Sequence, residues 1–450
     1  MSARRIAPGP SGRQLFGVVR RMLADPLPVL DELHATYGDV VELRGPGLRL
    51  LLLAHPADIE QVLVGHARAT SKGPTLGALR SSMGRNLFTL EGEAHAARRR
   101  LLTPIFRPRD IAPHGRWARE HAEATAASWR AGTPVDVSAA MDELVLAAMG
   151  RVVLGRPNDD ERDRVARLVH DAVELTPRVL DPAYPVKRRL WPRWGRAVDD
   201  LVREFDGLCA ALVERARSEP PPEGPRDVLH QLLTGHAHGE ALLDDDASIR
   251  EELRGLLLAA HETTSLALAW TLHELARAPL AYDAVLAELD EVVGASDEPV
   301  GADHLRQLPR TRAAFDEALR LLGGTFIPRG ADHDLPLDHA GITVPGGHEL
   351  LASMWVVHRD ERWWPSPTAY RPERFLGADP DRPRFAYFPF GGGRRTCIGM
   401  HLATQSAVIV LAELHRRWRL SPVPGDQPVA PYSNVLVRPT RAIRLVPIAR

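Results

Sequence analysis

The chain contains the stretch FGGGRRTCIG at residues 390–399, which holds Cys397, one of only two cysteines among 450 residues. The three consecutive glycines before it let the backbone adopt positive φ or pass close to a flat partner. The apolar run Leu402–Leu414 that follows predicts a helix. A cysteine on a glycine-rich loop leading into a helix is placed to be a thiolate, because the helix dipole and free N–H groups favour the anion. A buried structural cysteine is the alternative for Cys397 considered alone.

The residues around Cys397 fit the pattern Phe-x-x-Gly-x-Arg-x-Cys-x-Gly at Phe390, Gly393, Arg395 and Gly399. This pattern resembles the haem-binding loop of cytochromes P450, in which the cysteine thiolate is the axial iron ligand. The resemblance implies that Cys397 binds the iron of haem b and that the matching residues form its binding loop. A thiolate ligand pushes electron density onto the iron and favours O–O cleavage. The matching neighbours therefore favour the ligand over the structural cysteine.

The composition is that of an ordinary globular protein, with 44% apolar and 26% charged residues. A net charge of −1 provides no bulk attraction to nucleic acid or an anionic membrane. Two distant cysteines suit a reducing compartment, and Cys209 is predicted to be buried and structural. The N-terminus lacks the apolar core of a signal peptide, and no run approaches the ~18 residues of a membrane span. We therefore expect a cytoplasmic protein with no membrane anchor and no nucleic-acid partner.

A basic segment, Gly92–Arg100, predicts a helix on which His95 and Arg99 share one face. Such a pair can bind carboxylates, and a haem carries two propionates. From the residues alone, a solvated basic face is the alternative. The resemblance favours propionate binding, since soluble bacterial members of the family carry His-x-x-x-Arg here. Arg98 and Arg100 are predicted to be solvated.

The longest helical signal runs from Ser248 to Ala278 and has LLLAAHETTS at its centre, residues 256–265. Buried polar groups need partners, and hydroxyls bonded back to their own helix are one explanation. The resemblance identifies Glu262 and Thr263 as the family's acid–alcohol pair, whose implied role is proton delivery during oxygen activation. Ala260 stands where the family usually has glycine, and its methyl group would narrow the helix groove.

The pair Glu317 and Arg320 are helix neighbours at i and i+3. As a bare pattern such a pair is a weak signal, because surface ion pairs contribute little. The resemblance implies that Arg374 completes a structural triad with them behind the haem loop. It also makes Arg329 and Arg395 candidate propionate ligands. For Arg329, a solvated surface arginine is an equal alternative.

The remaining patterns indicate a mostly helical chain with a few short strands and loops. The turn Gly45-Pro46-Gly47 between two apolar runs predicts a hairpin. We expect helices at Pro28–Tyr37, Pro56–Val64, Val135–Leu154, Asp159–Leu175 and Val198–Arg217, strands at Val40–Leu43 and Leu48–Ala54, a loop at Thr70–Asn86, and a proline-broken connection at Pro177–Trp194.

The resemblance extends from about Pro8 to the C-terminus and implies the cytochrome P450 fold, mainly α with a smaller β-rich region from both chain ends. It implies a single haem domain over residues 1–450. The implied activity is monooxygenation, in which one atom of O2 enters a hydrophobic molecule and the other is reduced to water. A ferredoxin and its reductase are the implied electron donors, and we expect a monomer.

The segments predicted to line the substrate pocket carry few charges. This composition suits a hydrophobic substrate of secondary metabolism, such as a terpenoid, a fatty acyl chain or a polyketide-like molecule. Of these classes, we predict a terpenoid. A peroxide-driven or isomerising haem-thiolate enzyme is the alternative, although it would not need the acid–alcohol pair. A non-catalytic haem sensor is a third hypothesis. The predicted pocket segments are Thr75–Met83, Leu175–Leu180, Ala259–Thr263, Gly323–Ile327 and Ser433–Val437.

Overall fold

A computed structural model describes residues 6–155, 157–181, 183–219, 226–237, 245–294, 300–301, 303–377, 379–433 and 436–450. Most of these residues lie in helices, as predicted. The chain forms two compact units, each built from separate parts of the sequence. We call them the β-rich unit (residues up to Thr75, Ala313–Cys397 and Gln427–Ala442) and the helical unit (Leu76–Arg312, Ile398–Asp426 and Ile443–Arg450).

A five-stranded mixed sheet forms the centre of the β-rich unit. The predicted hairpin pairs Val40–Gly45 antiparallel with Leu48–Leu53. Leu48–Leu53 also pairs in parallel with Glu349–Ser353. Two antiparallel pairings then add Phe326–Ala331 and the short edge strand Thr70–Ser71. The buried side chains on this sheet, among them those of leucines in the second strand, pack with phenylalanines that precede the Cys397 loop.

Short helices and two strand pairs complete the β-rich unit. The strand pairs are Leu335–Leu337 with Ile342–Val344 and Pro431–Ser433 with Val437–Pro439. The helical segments are Gly12–Ala24, Pro26–Tyr37, Pro56–Glu60, Gln61–Gly65 (a π-helix), Met354–Val357, Pro372–Phe375, Arg384–Ala386 and Gly393–Arg395; the helices Gly73–Ala78 and Pro309–Leu322 each contain a boundary between the units.

The helical unit is arranged around the long helix Asp246–Ala276, which packs most extensively against Val137–Leu154. Asp245 starts the long helix by accepting a hydrogen bond from the Ser248 N–H at 2.8 Å. A small sheet of three strands, Val135–Asp136, Arg444–Ala449 and Trp418–Pro422, lies in the same unit. Its other helices are Arg80–Met83, Gly92–Leu102, Thr103–Phe106, Pro108–Ile111, Ala112–His114, Gly115–Ser128, Asp159–Leu180, Tyr184–Leu190, Pro192–Ser218, Val228–Ala237, Pro279–Val292, His304–Gln307 and Met400–Arg417.

Within the described residues, no helix combines the length and apolar character needed to cross a membrane.

Two predicted loops are wrong. The segment Thr70–Asn86 contains two short helices, and Asn86 closes the second by donating a hydrogen bond to the Met83 carbonyl at 2.8 Å. The connection Pro177–Trp194 is largely helical, apart from Pro182, which lies outside the described residues. Pro192 occupies a first-turn helix position, where its missing N–H breaks no hydrogen bond, so the proline starts a helix there.

A buried charge cluster joins three segments of the β-rich unit. Glu317 and Arg320 are almost completely buried and form two hydrogen bonds of 2.7 and 2.8 Å with each other. Arg374 donates to the same carboxylate at 3.0 Å, and so does the backbone N–H of Arg371 at 2.9 Å. The predicted triad is therefore confirmed, and one carboxylate neutralises two arginines.

Replacing Glu317 with alanine is expected to lower the free energy of unfolding by about 3–5 kcal/mol, because the buried Arg320 and the partly buried Arg374 lose their counter-charge. Urea unfolding followed by circular dichroism measures this. The control is Glu373→Ala, which removes the carboxylate of an exposed ion pair with Arg371 and should lower it by less than about 1 kcal/mol. Equal losses in the two variants would contradict a structural role for the triad.

Candidate active site

The loop that carries Cys397 is closed by its own backbone. The Cys397 N–H donates to the Phe390 carbonyl at 2.9 Å. The Thr396 hydroxyl donates to the Gly393 carbonyl at 2.8 Å, and a short 3-10 turn lies between them. The Cys397 thiol is exposed, so the alternative of a buried structural cysteine is wrong. The predicted helix after the loop is confirmed as Met400–Arg417, with Gly399 at its N-cap.

The glycines of the loop are required by close packing against the protein itself. Gly393 has φ +65°, and a Cβ there would lie 2.1 Å from the Leu63 carbonyl oxygen. A Cβ on Gly392 would lie 2.4 Å from the ring of Phe385. Any larger side chain would therefore push the loop away from the π-helix that contains Leu63. The Cys397 side chain itself remains exposed.

His358 supports the same loop from behind. Its Nε2 accepts a hydrogen bond from the Phe388 N–H at 3.0 Å, and its Nδ1–H donates to the Arg320 carbonyl at 3.2 Å. Burial, and secondarily the charge of Arg320, lowers the pKa of His358 to about 3. The imidazole is therefore neutral, as its acceptor role requires. Sequence reasoning missed this role, because a histidine pattern does not reveal a backbone partner 30 residues away.

Two candidate propionate ligands lie in the β-rich unit with Cys397. Arg329 is buried, and one of its N–H groups donates to the Pro328 carbonyl at 2.8 Å, so the alternative of a solvated surface arginine is wrong. Its strand passes the loop, since a Cβ on Gly391 would lie 3.3 Å from Ile327. Arg395 is partly buried within the loop itself.

The centre of the long helix is exposed along one narrow strip. Ala259 and Thr263 are exposed, while Thr264 and Ser265 beside them are buried. The Thr263 hydroxyl donates to the Ala259 carbonyl at 3.0 Å, so the back-bonded geometry suggested for these hydroxyls is present. Glu262 is partly buried next to this strip.

The helix Gly92–Leu102 carries His95, which is buried, and Arg99, which is partly buried. Arg98 was predicted to be solvated, and this is wrong: it is 3% exposed and binds Glu252 at 2.6 Å. Both oxygens of Glu252 also accept from the Leu87 N–H, at 3.0 and 3.1 Å. Desolvation by burial raises the pKa of Glu252. The pair ties this helix to the long helix.

As predicted, Arg100 is exposed; it forms a 3.1 Å ion pair with Glu93 on the helix surface. The solvated interpretation therefore applies to one of the two neighbouring arginines and fails for the other.

Each unit, taken separately, offers side chains whose chemistry suits part of a thiolate-bound haem. The β-rich unit offers an exposed thiol with two arginines near the same loop. The helical unit offers a histidine and an arginine on one helix face, and a helix strip made of a small residue and a hydroxyl. Cationic donors suit propionates, because charge-assisted hydrogen bonds to carboxylates are strong. The donor set therefore fits the group.

A family model described as cytochrome P450 matches residues 8–446 of the chain. The chain belongs to the cytochrome P450 family. This confirms the resemblance and the predicted fold class. Like its family, this cytochrome P450 is a haem-dependent monooxygenase that uses O2 and electrons from redox partners.

The curated relatives of this cytochrome P450 span almost the whole chain. Cyclooctatin synthase from Streptomyces melanosporofaciens is 32% identical over 435 residues, which cover 94% of this chain and 91% of the relative. Cyclooctat-9-en-7-ol 5-monooxygenase from the same organism is 30% identical over 92% of this chain and 90% of the relative. Putative cytochrome P450 132 from Mycobacterium tuberculosis (strain ATCC 25618 / H37Rv) is also 30% identical, over 91% of this chain and 90% of the relative.

The neutral His358 predicts a pH-dependent stability of this cytochrome P450. Because the folded pKa lies near 3 and the usual value is 6.5, the unfolded chain binds more protons between these pH values. Stability therefore falls as the pH decreases through this window, by up to about 1.4 kcal/mol per pH unit from this group. In His358→Gln, the slope of unfolding free energy against pH should be smaller by that amount, measured by urea unfolding between pH 4.5 and 7.5.

The control for this measurement is His333→Gln, which changes an exposed histidine and should keep the wild-type slope. Parallel profiles of His358→Gln and the wild type would show that His358 is not held neutral.

Proposed function

We propose that Cys397 is the axial thiolate ligand of haem b and that the enzyme oxygenates a hydrophobic, terpenoid-like substrate of secondary metabolism. The observation that carries the proposal is the exposed Cys397 thiol on a loop held by its own backbone and by glycine packing. Haem b held by a thiolate supplies the activation of O2.

Four cationic side chains are proposed to bind the haem propionates. Arg329 and Arg395 lie in the β-rich unit, and His95 and Arg99 lie in the helical unit. Guanidinium groups bind carboxylates through paired hydrogen bonds, and a positioned imidazole adds another donor. Phe390, whose carbonyl accepts the Cys397 N–H, and Gly399 complete the proposed cofactor loop.

Thr263 and Glu262 are proposed to move protons to the reacting oxygen. The Thr263 hydroxyl donates its own hydrogen to the Ala259 carbonyl, so its lone pairs remain available to accept a hydrogen bond from a proton donor. Glu262 is partly buried, so its carboxylate can exchange protons with solvent. Ala260 adds a methyl group beside this strip. We propose that this methyl group narrows the helix groove and thereby affects oxygen activation.

The proposed substrate class draws on the apolar segments and on the relatives. Predicted pocket segments Thr75–Met83 and Leu175–Leu180 contribute to one apolar cluster with Leu258 of the long helix. The name of one relative specifies an unsaturated alcohol, cyclooctat-9-en-7-ol, as its substrate. Both favour a neutral, largely hydrocarbon molecule. A ferredoxin and its reductase are the proposed electron donors, and the proposed state is a monomer.

The other predicted pocket segments carry less information about the substrate. In Gly323–Ile327, the Thr325 hydroxyl is buried and hydrogen-bonded to Ser433 at 2.8 Å, so it is already satisfied. Ser433–Val437 falls only partly within the structure, because residues 434 and 435 lie outside the described part of the chain.

Replacing Cys397 with alanine is expected to abolish the thiolate-type absorption spectrum of the reduced carbon monoxide complex, because the axial sulfur is lost. The matched control is Cys209→Ala. Burial raises the pKa of the Cys209 thiol to about 12, so this cysteine stays protonated and its replacement should leave the spectrum intact. A thiolate-type spectrum that persists in Cys397→Ala would overturn the ligand assignment.

Replacing Thr263 with alanine is expected to lower the amount of product formed per NAD(P)H oxidised by up to roughly 100-fold, the lower end of the range for loss of general acid–base catalysis. Thr271→Ala is the control, because Thr271 lies two turns further along the same helix and bonds to its own backbone in the same way, at 2.6 Å. Coupling is measured as product formed per NAD(P)H oxidised. Equal coupling in wild type and Thr263→Ala would favour the peroxide-driven alternative.

A further inference from the structure

A compact apolar cluster in the helical unit brings together segments that are distant in sequence. Its buried members are Met83, Val179, Tyr184 and Val198 from four helices, and Leu79 from the turn before the first of them. The partly buried Leu258, one residue before the exposed Ala259, packs against them. The cluster thus reaches the exposed strip of the long helix through side chains of the same unit.

Tyr184 places one polar atom inside this apolar cluster. The residue is 5% exposed, and among the residues that the structure describes its Oη has no hydrogen-bond partner. Buried polar side chains nearly always have a partner, and each exception calls for an explanation such as a bound molecule. A phenol buried without one is destabilising, since the group loses its hydrogen bonds to water.

The neighbouring hydroxyls do not share this property. Thr176 donates to the Ala172 carbonyl at 2.8 Å, and Ser82 donates to the Leu79 carbonyl at 3.2 Å. Both hydroxyls therefore have a protein partner. Tyr184 therefore differs from the other polar groups at this cluster in needing an external partner.

We propose that the Tyr184 hydroxyl binds an oxygen substituent, a hydroxyl or carbonyl group, on an otherwise apolar substrate. This inference rests on the proposed function and narrows its substrate class. A phenol both donates and accepts, so either substituent satisfies it. Arg254, which donates to the Met83 carbonyl at 3.3 Å, is already paired with Asp206, and burial of an unpaired carboxylate is strongly unfavourable. Neutral oxygenated molecules are therefore preferred over fatty acids.

This preference also places the enzyme within a reaction sequence. Its substrate already carries oxygen when it binds, so an earlier reaction must install that group. Two classes of reaction do so: an oxygenation, or a cyclisation that ends with capture of water. The present enzyme would then add its oxygen atom to a carbon held away from Tyr184, toward the exposed strip of the long helix.

The test compares matched ligand pairs by optical titration of the ferric haem protein. Each pair is an alcohol and the hydrocarbon with the same skeleton: cyclododecanol with cyclododecane, cedrol with cedrane, and dodecanol with dodecane. The quantity measured is the ratio of the two dissociation constants in each pair. Comparing this ratio between variants cancels the difference in hydration of the two ligands.

In Tyr184→Phe, the preference for the alcohol in the tightest-binding pair should fall by about tenfold relative to the wild type, the value of one buried neutral hydrogen bond. The affinity for the hydrocarbon should stay the same, because only the hydroxyl is removed. Tyr37→Phe is the matched control: it removes a hydroxyl that accepts a hydrogen bond from Gln14, outside the cluster, and should keep the wild-type ratio. Dodecanoate should bind more weakly than dodecanol.

Three results would overturn the inference while leaving the monooxygenase proposal in place. They are an unchanged ratio in Tyr184→Phe, an equal loss for both members of a pair, and tighter binding of dodecanoate than of dodecanol. An unchanged ratio would show that Tyr184 binds water only. If no ligand shifts the Soret band of a protein with a normal haem spectrum, both this inference and the proposed hydrophobic substrate fail.

Discussion

The β-rich unit depends on the ion pairs that the fully buried carboxylate of Glu317 forms with two arginines. This carboxylate neutralises Arg320 and Arg374, and Arg320 in turn donates to the backbone carbonyls of His358 and Pro367. An ion pair buried this deeply contributes little net energy by itself, but removing one member leaves an uncompensated charge. The cluster therefore acts mainly as a constraint that holds several chain segments in one arrangement.

That constraint continues by hydrogen bonds into the proposed cofactor loop. The Arg320 carbonyl orients His358, and His358 accepts the Phe388 N–H. The Phe388 carbonyl then accepts the Gly391 N–H at 2.9 Å, at the start of the loop that presents Cys397. These links between protein groups restrict the loop that presents Cys397, and a restricted loop loses less entropy when it binds a partner.

The helical unit combines satisfied buried charges with several buried hydroxyls that have no partner among the described residues, those of Tyr184, Thr404 and Ser406. Glu252 is compensated by Arg98 and by the backbone of Leu87, so it serves to join two helices. Tyr184 has no such compensation among the described residues. A polar group that the fold leaves without a partner is a group that a ligand can satisfy, and this difference separates the structural residues from the one proposed to select the substrate.

The sequence alone determined the features that depend on short spacings: the Cys397 loop and its helix, the hairpin at Gly45–Gly47, and the Glu317–Arg320 pair at i and i+3. These patterns also sufficed for the family, the fold class and the candidate ligand. Only the tertiary structure decided which charged side chains are buried. Arg98 and Glu252 are 154 residues apart, and nothing local distinguishes Arg98 from the exposed Arg100. The missing partner of Tyr184 is likewise visible only when four helices meet around it, since burial and satisfaction are properties of long-range packing.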